Sequence, residues 1–203
     1  MSNIVAIVGR PNVGKSTFFN RMIQRREAIV DSTSGVTRDR HYGKSDWNGR
    51  LFTVIDTGGY VEGSDDIFQK EIDKQVNLAI EEADAIIFMV DVADGVTGMD
   101  QTIAELLRRS QKPIFLAINK VDNALRIQDT PEFYSLGFKE FFSISSVSGS
   151  GTGELLDELV KKLPQENERV EDNLPRFAVV GRPNAGKSSF INALIGEDRY
   201  IVT

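Results

Sequence analysis

Gly9-Arg10-Pro11-Asn12-Val13-Gly14-Lys15-Ser16 lies between an apolar run, Ile4 to Val8, and a stretch carrying Phe18, Phe19, Met22 and Ile23 at helical spacing. A short β-branched strand, a glycine-rich turn and a helix in that order fit the pattern G-x-x-x-x-G-K-[ST]. In such a turn the glycines let the backbone curl until several N–H groups converge, and the helix that follows adds the positive end of its dipole. The ligand selected is a chain of phosphates. Lys15 is placed to reach the two terminal phosphates and the Ser16 hydroxyl to hold a Mg²⁺ between them, with Gly9, Asn12, Val13, Gly14 and Thr17 completing the predicted contacts. The stretch predicts a nucleoside triphosphate site.

Outward from it, apolar runs alternate with helical patterns. This predicts an α/β fold of the P-loop NTPase kind, with a mostly parallel six-stranded sheet, helices on both faces and one antiparallel edge strand. Strands are expected at Ile4–Val8, Tyr42–Trp47, Arg50–Asp56, Ala85–Val90, Pro113–Ile118 and Phe141–Ile144, with Asn48-Gly49 as a hairpin turn. Helices are expected after Ser16, after a Ser64 N-cap with Phe68, Ile72, Val76 and Ala79 inward, from about Asp100 to Ser110, and from about Thr152 to Leu163. Asp31 to Arg40 and the glycines 58, 59 and 63 read as loops of functional length.

Residues 1–163 are thus expected to form one domain. Residues 164–175, polar and bounded by Pro164 and Pro175, read as a linker. Beyond it the opening returns with an offset of 172: Gly181-Arg182-Pro183-Asn184-Ala185-Gly186-Lys187-Ser188 repeats the first loop, and Phe190, Asn192, Ile195, Ile201 and Val202 echo Phe18, Asn20, Ile23, Ile29 and Val30. Residues 176–203 therefore read as the start of a duplicated domain, with Gly181, Gly186, Lys187 and Ser188 as its phosphate residues. A lone strand, loop and helix cannot bury both faces of its strand, so the segment from Phe177 is expected to be poorly ordered or docked on a neighbour.

The base is selected elsewhere. In Asn119-Lys120-Val121-Asp122, at the end of a buried strand, the Asp122 carboxylate is placed to accept both N1–H and N2–H₂ of guanine. Adenine offers no such donor pair, which leaves the carboxylate unpaired. Asn119 is expected to reach N7 and fix the loop, and the Lys120 stem to lie over the base. Asp56 and Gly59, in Asp56-Thr57-Gly58-Gly59, are expected to hold a water in the Mg²⁺ shell and to donate to the terminal phosphate. A loop pinned by that phosphate and released on its loss is a switch. Thr37 and Thr33, in one polar loop, compete for a second hydroxyl on Mg²⁺. Ser145-Ser146 offers backbone N–H groups to guanine O6.

Composition narrows the rest. No apolar run approaches the roughly 20 residues of a membrane span, and the first residues lack an export signal, so no membrane role is expected. Without cysteine there are no disulfides or thiolate metal sites, which suits a reducing cytoplasm. A net charge of −6 argues against the chain alone coating a nucleic-acid backbone.

This set of motifs, in this order, resembles the translation-factor-related GTPases. The loop spelling G-x-P-N-x-G-K-S and the repeat beyond an acidic linker resemble the Der (EngA) family of tandem GTPases. The resemblance implies GTP hydrolysis to GDP with Mg²⁺, a role in assembling the large ribosomal subunit, and RNA contact mainly through a KH-type domain absent from this sequence. It favours Thr37 over Thr33 for Mg²⁺. Ser34 stands where that family usually has proline, and Ser146 and Ser148 replace its usual alanine and histidine. Tyr60 follows Gly59 where many GTPases carry a water-orienting glutamine, so slow intrinsic turnover is expected. An asparagine at the place of Asn12 helps bind K⁺ in similar GTPases, which adds K⁺ to Lys15, Thr37 and Gly59 as the expected catalytic set. Two rivals stand beside a GTP-hydrolysing switch: a nucleotide-gated binding module, and an ATP-dependent enzyme that shares only the loop.

Overall fold

Seven consecutive residues, Ala85–Asp91 (β4), are buried along their whole length. A strand without an exposed face must sit mid-sheet with cover on both sides. The computed structural model, which describes residues 3–23, 41–57, 74, 76–164 and eight residues of the last segment (179, 182, 185–187, 190, 193 and 194), places it there. The other strands are β1 (Asn3–Val8), β2 (His41–Trp47), β3 (Arg50–Asp56), β5 (Ile114–Asn119) and β6 (Phe141–Ser143). Their order across the sheet is β2-β3-β1-β4-β5-β6. All neighbours are parallel except β2 and β3, joined through Asn48-Gly49 with both residues at positive φ. The six-stranded sheet with one antiparallel edge strand is the expected one.

Helices α1 (Lys15–Ile23) and α5 (Thr152–Lys162) cover one face. There Phe18, Met22, Leu155 and Leu159 pack on Val5, Ile7, Phe52, Ile87 and Phe115. Helix α2, described over 76–82, and α3 (Gly98–Arg109) cover the other. Val76, Ala79, Ile103 and Leu107 meet Ala6, Val8, Ile86, Phe88 and Ile118. The Ser64 cap with Phe68 and Ile72 lies outside the described residues.

Three local features depart from the sequence reading. α3 starts two residues early, because Thr97 and Asp100 cap it reciprocally: Thr97 Oγ1 accepts from the Asp100 N–H and Asp100 Oδ2 accepts from the Thr97 N–H. A short helix α4 (Ala124–Ile127) and a 3₁₀ segment (Thr130–Leu136) fill the stretch after Asp122, where no helical period is visible. The chain then leaves the sheet at a fixed point. Arg50 Nη2 donates to the carbonyls of Leu163 and Pro164, and Asn3 Nδ2 also donates to Pro164 O.

Thr97→Ala is expected to lower unfolding stability by about 1 kcal/mol in urea titration, and Thr97→Ser to retain most of it.

Candidate nucleotide-binding site

Parallel strands bring their C-terminal ends to one rim. Because the chain passes from β1 to β3 on one side and then to β4 on the other, the strand order opens at the end of β1. The loop 9–14 leaves β1 at that opening. Lys15, the first residue of α1, folds back so that its Nζ donates to the carbonyls of Gly9 and Arg10, both at 2.8 Å. Burial pushes its pKa down to about 8; Asp56 opposes the shift and Arg10 adds to it. Asp56 ends β3 fully buried, while Ser16 and Thr17 are exposed in the first turn of α1. A carboxylate and a hydroxyl near one lysine form an all-oxygen donor set that suits a hard cation such as Mg²⁺. Asn12 is exposed and holds a φ of 65°, the left-handed region that few side chains other than Asn or Asp enter.

Asn119 joins this loop to the other end of the site. From the last residue of β5 its buried Nδ2 donates to Val13 O (2.7 Å), and its Oδ1 accepts from both the N–H and Oγ of Ser146 (2.9 Å each). Gly14 lies against the same amide: a Cβ there would fall 2.3 Å from Asn119 Nδ2, at a φ of 98°. The geometry supports the loop-fixing half of the expected Asn119 role. Lys120 has a φ of 66° and turns the chain sharply. Its ammonium pairs with the buried Asp91, whose other oxygen accepts from the Ala93 N–H. Asp122 emerges exposed, with Oδ1 accepting a 2.5 Å bond from the Ser145 hydroxyl.

Without a ligand, the two N–H groups expected for guanine O6 have partners within the protein: the Ser145 N–H donates to Ser150 O and the Ser146 N–H to Asn119 Oδ1. Among the described residues the next N–H, that of Val147, has no acceptor. Thr37, Thr33, Gly59, Gly181 and Ser188 lie outside the described residues.

Two arginines escaped the sequence reading. Arg10 points away from the phosphate loop, bonding Asp94 at 2.6 Å and lying 3.4 Å from the buried Asp100 of the α3 cap. The guanidinium holds the Asp94 carboxyl below its ordinary range, through a hydrogen bond first and charge second. Arg21, in the last turn of α1, donates to the carbonyls of Ser146 (2.6 Å) and Val147. Neither had a local signal, since the partners lie 84 to 126 residues away.

A family model described as 50S ribosome-binding GTPase matches residues 4–120 and 176–203. The chain belongs to this family. GTPase Der of Christiangramia forsetii is 74% identical over 203 residues, which is all of this chain and 47% of that protein. The chain thus spans about half the length of the curated relatives it matches. Among solved structures, Aquifex aeolicus Era bound to GDP·AlF4⁻ superposes with a TM-score of 0.65 at 26% identity, over 94% of this chain and 67% of that one. Era in complex with MgGDPNP and a segment of 16S ribosomal RNA matches equally well, with a TM-score of 0.65 at 27% identity over 94% and 65% of the two chains. The resemblance to the Der tandem GTPases therefore holds across the whole sequence, repeat included. As a member of the 50S ribosome-binding GTPases, the chain carries a P-loop GTPase domain.

In the free protein Lys15 loses its proton above about pH 8. A phosphate on the ammonium holds that proton in place, so binding takes one up at alkaline pH. GDP affinity is expected to be flat below about pH 7 and to fall roughly tenfold per pH unit above Lys15's pKa. Calorimetric titration across this range checks it, with Lys15→Met removing the slope.

Proposed function

We propose that the chain is a GTP-hydrolysing switch that acts in assembly of the large ribosomal subunit. The observation that carries this reading is the Asn119 bridge, which ties the phosphate loop at Val13 to the loop beside Asp122. One ligand spanning both loops has a phosphate chain at one end and a base at the other. Asp122, exposed and held by Ser145, supplies the carboxylate that the guanine N1–H and N2–H₂ pair with. Its position argues against an ATP-dependent enzyme, for which that carboxylate has no partner.

Hydrolysis needs a water in line with the terminal phosphorus and compensation for charge on the departing oxygen. The bond between that phosphorus and the bridging oxygen breaks, GDP leaves, and phosphate takes the water oxygen. Lys15 brings a buried positive charge to the phosphate oxygens, where low dielectric strengthens it. Ser16, Asp56 and Thr37 would hold Mg²⁺, which when bound neutralises charge on the β- and γ-oxygens. Gly59 donates its N–H to the terminal phosphate, so loss of that phosphate releases the loop. Tyr60 lacks the amide that orients water, which makes turnover slow. Asn12, exposed within the loop, would help hold a K⁺, which when bound would supply the missing positive charge. The Der and Era likenesses, one of them to Era with MgGDPNP and ribosomal RNA, support Mg²⁺ and the ribosome as partners. No helix among the described residues is long and apolar enough to cross a membrane.

We further read residues 1–163 as the first GTPase domain, 164–175 as a linker and 176–203 as the start of the second. Local bonds of the first loop recur 172 residues on. Lys187 Nζ donates to Arg182 O as Lys15 does to Arg10 O, and Phe190 N–H bonds Gly186 O as Phe18 does Gly14 O.

In competition binding GTP is expected to displace labelled GDP at least about a hundredfold better than ATP does, by the rejection that a site built to hydrogen-bond its ligand gives. Asp122→Asn should transfer the preference to xanthosine nucleotide; retained guanine preference would sink the assignment. Turnover in KCl is expected to exceed that in NaCl roughly tenfold or more, the effect of one added transition-state charge. Equal rates would remove K⁺ from the mechanism, and a GTPase rate indifferent to large-subunit particles would favour the nucleotide-gated module instead.

A further inference from the structure

α1 touches the proposed ligand site at both ends. Its first turn carries Lys15, Ser16 and Thr17, and its last turn carries Arg21, about 9 Å further along the axis at 1.5 Å per residue. The Arg21 fork donates from Nε to Ser146 O and from Nη2 to Val147 O, fixing two successive peptide carbonyls of the 145–149 loop. Gly149 makes room for it. That residue has a φ of 89°, and a Cβ there would fall 2.6 Å from Arg21 Nη1.

A trans peptide points its N–H opposite to its C=O. Fixing the Ser146 carbonyl on the α1 side therefore aims the Val147 N–H the other way, as the donor that has no acceptor among the described residues. On its other flank the loop is held by Asn119, through the Ser146 N–H and Oγ, and by Ser145 Oγ, which accepts from the Ser148 N–H. We propose that Arg21 is a positioning residue for base recognition: it orients the 146–147 peptide so that the Val147 N–H reads the 6-oxo group of guanine. This rests on the reading of the site as a guanine site and adds to it the donor and the side chain that aims it. Discrimination at the purine 6-position is then separable from discrimination at the 2-position, which belongs to Asp122. The fork matters more than the charge, because a lysine reaches one carbonyl as a point charge and cannot fix two.

The test compares affinities of the 203-residue chain for GDP, 6-thio-GDP and IDP near pH 7. The thio analogue keeps N1–H and the 2-amino group and changes only the acceptor at position 6; sulfur is a weak acceptor. IDP lacks only the 2-amino group. The unaltered chain is expected to prefer GDP over 6-thio-GDP by roughly threefold to tenfold, the worth of one hydrogen bond. In Arg21→Ala that ratio should approach one, while the GDP-to-IDP ratio stays as it was. Arg21→Lys, which keeps the charge at the end of α1 and serves if the alanine variant does not fold, should also lose the 6-position preference. An unaltered chain that does not distinguish GDP from 6-thio-GDP overturns the 6-position reading itself. A preference that survives in both variants overturns the role of Arg21, and so does a parallel collapse of both ratios, which marks general loosening of the loop.

Discussion

One buried side-chain amide holds the site together. Asn119 stands at the end of β5, two strands away from β1, and its donor and acceptor sides grip different loops. Neither loop has much regular structure, so each depends on this residue for its place relative to the other. The bonds are short and shielded from water, and their loss leaves Val13 O and the Ser146 N–H without partners in a dry environment, the expensive outcome for polar groups. A residue that its sequence motif assigns to the base loop is as much a part of the phosphate loop.

Around that amide the sheet supplies rigidity and the helices supply reach. β1, β3, β4 and β5 end in Val8, Asp56, Asp91 and Asn119, so four strand ends deliver the loop, the carboxylate, the lysine partner and the bridge to a single rim. Arg10 couples the phosphate loop outward to the capping box of α3, while Arg21 couples α1 to the base loop. The two guanidinium groups work from opposite flanks, one holding the start of the loop and the other the far end of the helix that follows it. The free Lys15 ammonium bonds the carbonyls of its own loop, which keeps a buried charge solvated by the protein until an anion takes over that task.

Much of the architecture was legible because buried parallel strands read as continuous apolar runs. Ala85–Asp91 and Ile114–Asn119 are unmistakable for that reason, and the phosphate loop and Asn119 to Asp122 announce themselves by fixed spacing. What the sequence hid is of two kinds. The segment from Ala124 to Leu136 forms a four-residue helix and a 3₁₀ stretch, too short to show a period and partly held by distant contacts such as Arg108 to Leu136 O. The arginine anchors act across 84 or more residues, a relation that no local pattern encodes. Thr97-x-x-Asp100 is different: the capping-box spacing was present in the letters and sets the start of α3. In the serine loop the letters do not show which N–H groups neighbouring residues already draw on, as Ser150 O and Asn119 Oδ1 do.

The exit at Pro164 has a geometric consequence. Asn3 and Arg50, which clasp it, begin β1 and β3, whereas the nucleotide rim lies where those strands end. The chain therefore departs from the end of the sheet opposite that rim, six or seven residues of strand away, about 20 Å at 3.3 Å per residue. Whatever follows Pro164 thus starts on the side of the sheet remote from the phosphate loop, behind the first residues of β1 and β3.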